Sequence, residues 1–284
     1  MSAAAADSSS ASPGDAGLPT ISIVTPVFNA AETLPETLAS IELQNYPRIE
    51  HIVIDAESTD GTLDILRPLA DSGRIKLVSE PDNGLSDAFN KGARLATGDL
   101  VAWLNADDVY HPGGLHAVGE RFAANADTEW LVGRCTIIGG DGRESRKAVT
   151  AYKNFLLRHF TLGRYLTNNF VSSPATFVRR DVLDEVGLLD ERFKYSADYD
   201  LWLRLARRGR PAYVDADVSG FRMAAGSLSI TGFEQQFREH AQNARENGAG
   251  HPFAVAVNRV ISRAIVLVYR TIMRWRRVRR GPGG

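Results

Sequence analysis

The chain has 284 residues, 44% of them hydrophobic and 24% charged, enough for one large domain or a domain with an appendage. A formal net charge of -1 excludes a polyanion binder by bulk charge, so no nucleic-acid partner is expected. The single cysteine, Cys135, permits no internal disulfide and suits a reducing compartment. Its setting, WLVGRCTIIG, reads as a strand, so a buried inert thiol is expected rather than a nucleophile.

Residues 1–18 are small and polar at their start, with no basic opening and no leucine-rich run, and read as a disordered tail rather than an export signal. No apolar run is read as approaching the ~20 residues that span a bilayer, so a cytoplasmic chain, soluble or peripheral, is expected. From Ile21 short apolar runs alternate with amphipathic ones. ISIVTPVF reads as a buried strand followed by a helix through ETLPETLASIELQ. HIVIDA is the second strand, and TDGTLDILRPLA the second helix, with Thr59 or Asp60 able to cap it. IKLVSE, the helix LSDAFNKGARLA and the strand DLVAWLN complete the pattern, which ends in the acidic turn ADD. Such alternation argues an α/β fold, a Rossmann-like parallel sheet with helices on both faces.

Ligands bind such sheets beyond the carboxyl ends of the strands. The polar residues fall there: Thr25 and Asn29 after the first strand, Asp55 to Ser58 after the second, Glu80 to Asn83 after the third, Asn105 to Asp108 after the fourth. Four strand ends converging on one crevice is the main physical signal. Paired acids there, Asp107 and Asp108, suit a divalent cation whose remaining ligands come from a diphosphate, although helix capping alone also explains such pairs.

Beyond Gly119 the pattern is less regular. WLVGRCTIIGGDGRES predicts a hairpin turning at Gly140-Asp141-Gly142. A helix is predicted over Tyr152 to Tyr165, SSPATFVRRDVLDEVG leads into another, and YSADYDLWLRLARRG is an amphipathic helix closed by Gly209. His111 follows the acidic turn and fits loop packing near the site; the six histidines show no metal-ligand spacing.

TPVFNA, IDAESTDGT, EPDNGLSDAFNKGARLATGD and WLNADD together, in this order and spacing, resemble glycosyltransferase family 2 over roughly residues 20 to 230. NADD stands where that family has its Asp-X-Asp motif. The resemblance implies a GT-A fold and an inverting single displacement from a nucleoside-diphosphate sugar, usually UDP- or dTDP-linked, with a UDP-linked donor expected. Thr25, Pro26 and Asn29 would then shape the base pocket beside Asp55, with Ser58, Asn83 and Ala106 adding to the donor site. Asp87 and Lys91 would reach the base, ribose or phosphates, although Lys91 also fits a solvated helix charge. Asn105 would contact ribose, and Asp107, supported by Asp108, would hold Mn²⁺ or Mg²⁺. The sequence departs from the family pattern at Asp55-Ala56-Glu57-Ser58, commonly Asp-Asp-Gly-Ser, and at Asn105, commonly an acid.

Inversion needs a base for the acceptor's proton. The resemblance points to Asp198 in Ala197-Asp198-Tyr199-Asp200, where many members carry Glu-Asp; an early-turn acid favoured by the helix dipole is the alternative. Trp202 fits the core or a sugar face. Phe221-Arg222 and Gly226-Ser227-Leu228-Ser229 resemble a loop over the diphosphate, in which Met223, Ala224 and Ala225 replace the histidine of related sequences. Arg222 fits a diphosphate partner or an ordinary surface arginine equally. The expected organisation is a tail (1–18), a nucleotide-sugar-binding half (19–118), an acceptor-side half (119–230) and a helical appendage (231–284).

In the appendage, Arg259, Arg263, Arg270, Arg274 and Arg277 recur at helical spacing on one face of a largely apolar helix, and no acid occurs from Asn258 onward. Residues 258–280 therefore fit the headgroup region of an anionic membrane, or a terminal helix packed on protein. The expected partners are the nucleotide-sugar donor and a carbohydrate or lipid-linked acceptor, with bacterial polysaccharide or glycolipid assembly as the setting. Two other readings are a catalytically silent nucleotide-sugar-binding protein, which has no need of both Asp107 and Asp198, and a sugar nucleotidyltransferase, which needs a glycine-rich basic loop that TPVFNAAETL lacks.

Overall fold

The computed structural model describes residues 17–223 and 232–279, with side chains up to Thr271 in the last helix. Its first half alternates β1 (Ile21–Val27), α1 (Leu34–Glu42), β2 (Ile49–Asp55), α2 (Thr62–Asp71), β3 (Lys76–Ser79), α3 (Leu85–Leu95) and β4 (Leu100–Trp103). Side chains alternate between the two faces of a strand, and here both faces are apolar. Ile21, Ile23, Leu100 and Ala102 enter one core; Val24, Val101 and Trp103 enter the other. Helices must then cover both sides. α3 lies so close to β1 that a Cβ at Gly92 would meet Val24 Cγ1 at 2.3 Å, an approach open only to glycine. β1 pairs in parallel with β2 and β4, and β2 with β3, so four carboxyl ends share one edge, as the alternation predicts.

The second half contributes β5 (Val109–Tyr110), α4 (Gly114–Ala123), β6 (Trp130–Ile138), β7 (Glu144–Ser145), α5 (Lys147–Arg158), α6 (Leu162–Thr167), β8 (Thr176–Arg179), α7 (Arg180–Val186), α8 (Ala197–Arg208), β9 (Ala212–Arg222), α9 (Phe233–Asn247) and α10 (Pro252–Arg279). The strands run β3-β2-β1-β4-β8-β6-β9-β5, with β7 paired to β6 as the predicted hairpin. Antiparallel β8 joins the two halves by pairing with both β4 and β6.

Several elements differ from the sequence reading. The helix predicted over Tyr152 to Tyr165 is two, because Thr161 turns extended and its hydroxyl accepts the Arg164 N–H, starting α6 afresh. Within SSPATFVRR a strand, β8, precedes the predicted helix. β9 was not anticipated; its polar stretch Asp215 to Asp217 faces Arg134 and Arg158, and a register shift against β6 near Arg134 breaks its alternation. Gly209 closes α8 with extended backbone, so its glycine character is not needed there. The α2 cap position is Gly61, with the Asp60 carboxylate accepting the Thr62 N–H. Pro252–Thr271, with mean hydropathy 1.4, is long and apolar enough to cross a membrane by length and composition, which corrects the expectation of no such run. The predicted loop Gly226-Ser227-Leu228-Ser229, most of the 1–18 tail and Arg280 lie outside the described residues, as do the side chains of Arg274 and Arg277.

α9 is tied to α8 by more than apolar contact. The Glu239 carboxylate accepts from the Tyr195 N–H at 2.7 Å and from Ser196 Oγ at 3.3 Å. Asn243 Nδ2 donates to the Ser196 carbonyl, and Asn247 Nδ2 to Asp200 Oδ1. The start of α8, which carries Asp198, is thus held by the helix that follows the predicted catalytic domain.

Candidate active site

Asp55 ends β2 and has no solvent exposure. Its Oδ2 accepts from the Ser58 N–H at 3.1 Å and Ser79 Oγ at 2.8 Å, while Oδ1 is buried without a partner. A buried acceptor left empty carries a desolvation cost, which a ligand N–H would relieve. Around it, Asn29 adopts a left-handed turn at φ 48° after β1. Its N–H donates to Ser58 Oγ and its Oδ1 accepts from Thr59 N–H, each at 2.9 Å, so the ends of β1 and β2 form one wall. Thr25 and Pro26 are buried within β1. The Thr25 hydroxyl bonds His51 Nε2 at 2.9 Å inside the sheet, so it supports this wall and does not line it. Burial pushes the His51 imidazole down to about 4 and keeps it neutral.

The turn after β4 is pinned from α1: Thr33 Oγ1 donates to the Ala106 carbonyl and Thr37 Oγ1 to the Asp108 carbonyl, both at 2.8 Å. Asp108 is fully buried, accepting from Asn105 Nδ2 at 2.9 Å and the Arg222 N–H at 2.8 Å. It braces the turn, each oxygen already accepting one hydrogen bond. Asp107 differs: its half-buried carboxylate has no hydrogen bond to a described side chain. Burial raises the pKa of both acids, and Asp107 raises that of Asp108 further. Among the described residues no group of three or more His, Cys, Asp or Glu could hold a metal. One free carboxylate completed by a diphosphate and water fits Mg²⁺ or Mn²⁺ better than an all-protein cage does.

Three residues are placed otherwise than the resemblance implies. Lys91 Nζ donates to the Pro81 carbonyl at 2.7 Å and pairs with Glu80 at 2.9 Å and Asp87 at 3.5 Å, so its charge clamps the β3–α3 loop. Its pKa is raised chiefly by the Glu80 hydrogen bond. Asp87 belongs to the same clamp, accepting the Asn83 N–H at 2.9 Å. Arg222 is buried, with Nε on the Asp107 carbonyl at 2.8 Å, Nη1 on the Gly139 and Gly140 carbonyls, and Nη2 on Glu36 at 2.6 Å. It braces the acidic turn against the β6–β7 hairpin and is neither a surface arginine nor free to meet a diphosphate.

Asp198 and Asn105 line one pocket of about 330 Å³. Asp198 opens to that pocket and is otherwise enclosed; Oδ2 accepts from Ser173 Oγ at 3.0 Å and Oδ1 from the Tyr199 N–H at 2.7 Å. Burial raises its pKa, opposed by these hydrogen bonds and by Lys153. Lys153 and His240 line the same pocket and were not anticipated. The Lys153 ammonium donates to Ser172 Oγ at 3.1 Å and has its pKa lowered by burial. His240 Nε2 is buried without a partner, and burial pushes the ring down to about 4. Trp202 belongs to the core, fully buried with its ring 5.1 Å from Trp103. His111 packs in its loop against Thr136 Oγ1 at 2.8 Å, and Cys135 is buried.

Solved glycosyltransferases share this architecture. Staphylococcus aureus TarS 1-349 in complex with UDP-GlcNAc aligns with TM-score 0.62 at 19% identity, over 79% of this chain and 66% of that one. The mannosyltransferase PcManGT from Pyrobaculum calidifontis, in complex with GDP-Man and Mn²⁺, aligns with TM-score 0.62 at 19% identity, over 93% of this chain and 83% of that one. The chain spans 39% of a longer TarS chain. The fold is therefore that of the GT-A glycosyltransferases. The chain belongs to glycosyl transferase family 2, whose model matches residues 22–187. A "PGL/p-HBAD biosynthesis glycosyltransferase" of Mycobacterium bovis is 31% identical over 278 residues, covering 92% of this chain and 99% of that relative.

Proposed function

We propose that the chain is an inverting, metal-assisted transferase that moves a sugar from a nucleoside diphosphate, UDP-linked in the expected case, to an acceptor hydroxyl. The observation that carries the donor side is the empty buried Oδ1 of Asp55, an acceptor suited to a ring N–H of the base. The pocket shared by Asn105 and Asp198 carries the acceptor side. In the displacement the acceptor oxygen attacks the anomeric carbon while its proton passes to Asp198. The bond to the diphosphate breaks, and the nucleoside diphosphate leaves with the electron pair. Asp107 would hold a divalent cation together with the diphosphate, and such a cation would supply neutralising charge to that leaving group. Ser173 Oγ and the Tyr199 N–H orient Asp198, and neutral His240 offers an unfilled hydrogen-bonding position for an acceptor hydroxyl.

The acceptor in this reading is a carbohydrate or a lipid-linked sugar of polysaccharide or glycolipid assembly, reached at the cytoplasmic face of a membrane. The exposed apolar residues of α10, Phe253, Val260, Leu267 and Val268, support peripheral attachment there. The base contact is tested with Asp55→Asn, which keeps shape but presents an amide N–H to the base. Loss of a hydrogen bond to a charged group costs about 1.5–3 kcal/mol, so roughly ten- to a hundredfold weaker UDP binding is expected by calorimetry. Unchanged affinity would remove Asp55 from the donor site.

A further inference from the structure

α9 and α10 pack on each other and leave a surface groove at their seam. The groove, of about 770 Å³, is lined by Arg238, Arg245, Arg259, Arg263 and Arg270 and, among the described residues, by no acid. Glu234, at the start of α9, pairs with Arg270 at 2.6 Å and Arg238 at 3.4 Å. Arg245, Arg259 and Arg263 form no ion pair with any described carboxylate. Three uncompensated guanidinium groups around one groove repel each other, and an anion in the groove relieves that repulsion. The planar fork of arginine matches a phosphate with two parallel hydrogen bonds. Half-buried Phe237 and Val266 form apolar wall between the charges, and Leu267 lies exposed at its edge. Leu267 continues outward into the exposed stripe of Phe253 and Val260, which recur every seven residues on one face of α10. Exposed positive charge along a groove beside an exposed apolar stripe suits an amphiphile with an anionic head.

We infer that the groove between α9 and α10 is a binding site for the phosphate head group of an anionic membrane phospholipid. The inference rests on the membrane reading above and gives it a built site in place of diffuse attraction. Phe237 also lines the pocket that holds Asp198, so a lipid seated in the groove sets that pocket beside the bilayer surface.

The test is co-sedimentation of the full chain with phosphatidylcholine vesicles, with and without phosphatidylglycerol. Arg245→Gln/Arg259→Gln/Arg263→Gln is compared with Arg274→Gln/Arg276→Gln/Arg277→Gln, which removes equal charge from the last turns of α10. The groove variant is expected to lose at least about tenfold in affinity for the anionic vesicles, and the other variant distinctly less. If the groove triple melts early, Arg259→Gln against Arg277→Gln carries the same comparison, with about a fivefold loss expected from the first. Equal losses in the two variants overturn the groove and leave membrane attachment intact. An unmodified chain that ignores anionic vesicles overturns the membrane reading itself.

Discussion

Asp198→Asn is expected to bind the donor as the unmodified chain does and to transfer sugar about 10²–10⁴-fold more slowly. The amide oxygen keeps the bond from the Tyr199 N–H while its NH2 donates to Ser173 Oγ, so the start of α8 should stay in place. What disappears is the proton acceptor, needed only as the acceptor oxygen bonds to carbon, so kcat and kcat/KM fall together. The unmodified enzyme should also show an acid limb in kcat/KM for the acceptor. Burial raises the Asp198 pKa, so protonation silences the base at a higher pH than it would for a solvent-exposed aspartate. Activity is present above that pKa and lost as pH falls through it. Steady-state kinetics across pH check both statements. A variant that keeps more than about a tenth of normal turnover would assign the proton to another group.

Asp107→Asn is expected to have the second largest effect, on the donor side. Its carboxylate is the one acid of the turn without a hydrogen bond to a described side chain, whereas both oxygens of Asp108 accept, from Asn105 and the Arg222 N–H. Replacing it should abolish the Mn²⁺-dependent part of UDP binding and leave the melting temperature near that of the unmodified chain. Asp108→Asn should do the opposite. It turns an acceptor of the Arg222 N–H into a mixed group inside a fully buried brace, and loss of a buried partner costs about 1–3 kcal/mol of stability. Calorimetry with UDP and Mn²⁺, paired with thermal melts, separates the two acids. Equal effects from both would mean that they act as one metal-binding pair.

The order of elements in the first half was legible because continuous β-branched strands alternate with amphipathic helices, and strand ends can be counted from sequence. Asp55, Asn105, Asp107 and Asp198 were legible as positions, since the motifs fix them. Which of their atoms are free was not legible. That Lys91 is clamped by Glu80 and Pro81, or that Arg222 reaches back to Glu36 on α1, depends on side-chain directions across loops. Lys153 and His240 were invisible for a different reason. Each reads locally as one polar residue on an amphipathic helix, and only the packing of α5 and α9 brings both to Asp198's pocket. β9 escaped notice because its bulge shifts the period of two and its outward acids resemble a loop.

The central claim, a nucleotide-sugar donor site at the joined ends of β1, β2 and β4, is tested most directly by one titration. The full chain is titrated calorimetrically with UDP-, GDP- and dTDP-sugars, each with and without Mn²⁺. Binding of a UDP-sugar that strengthens with Mn²⁺ and weakens in Asp55→Asn is the result predicted here. Failure to bind any of the three donors, with or without the metal, would contradict it.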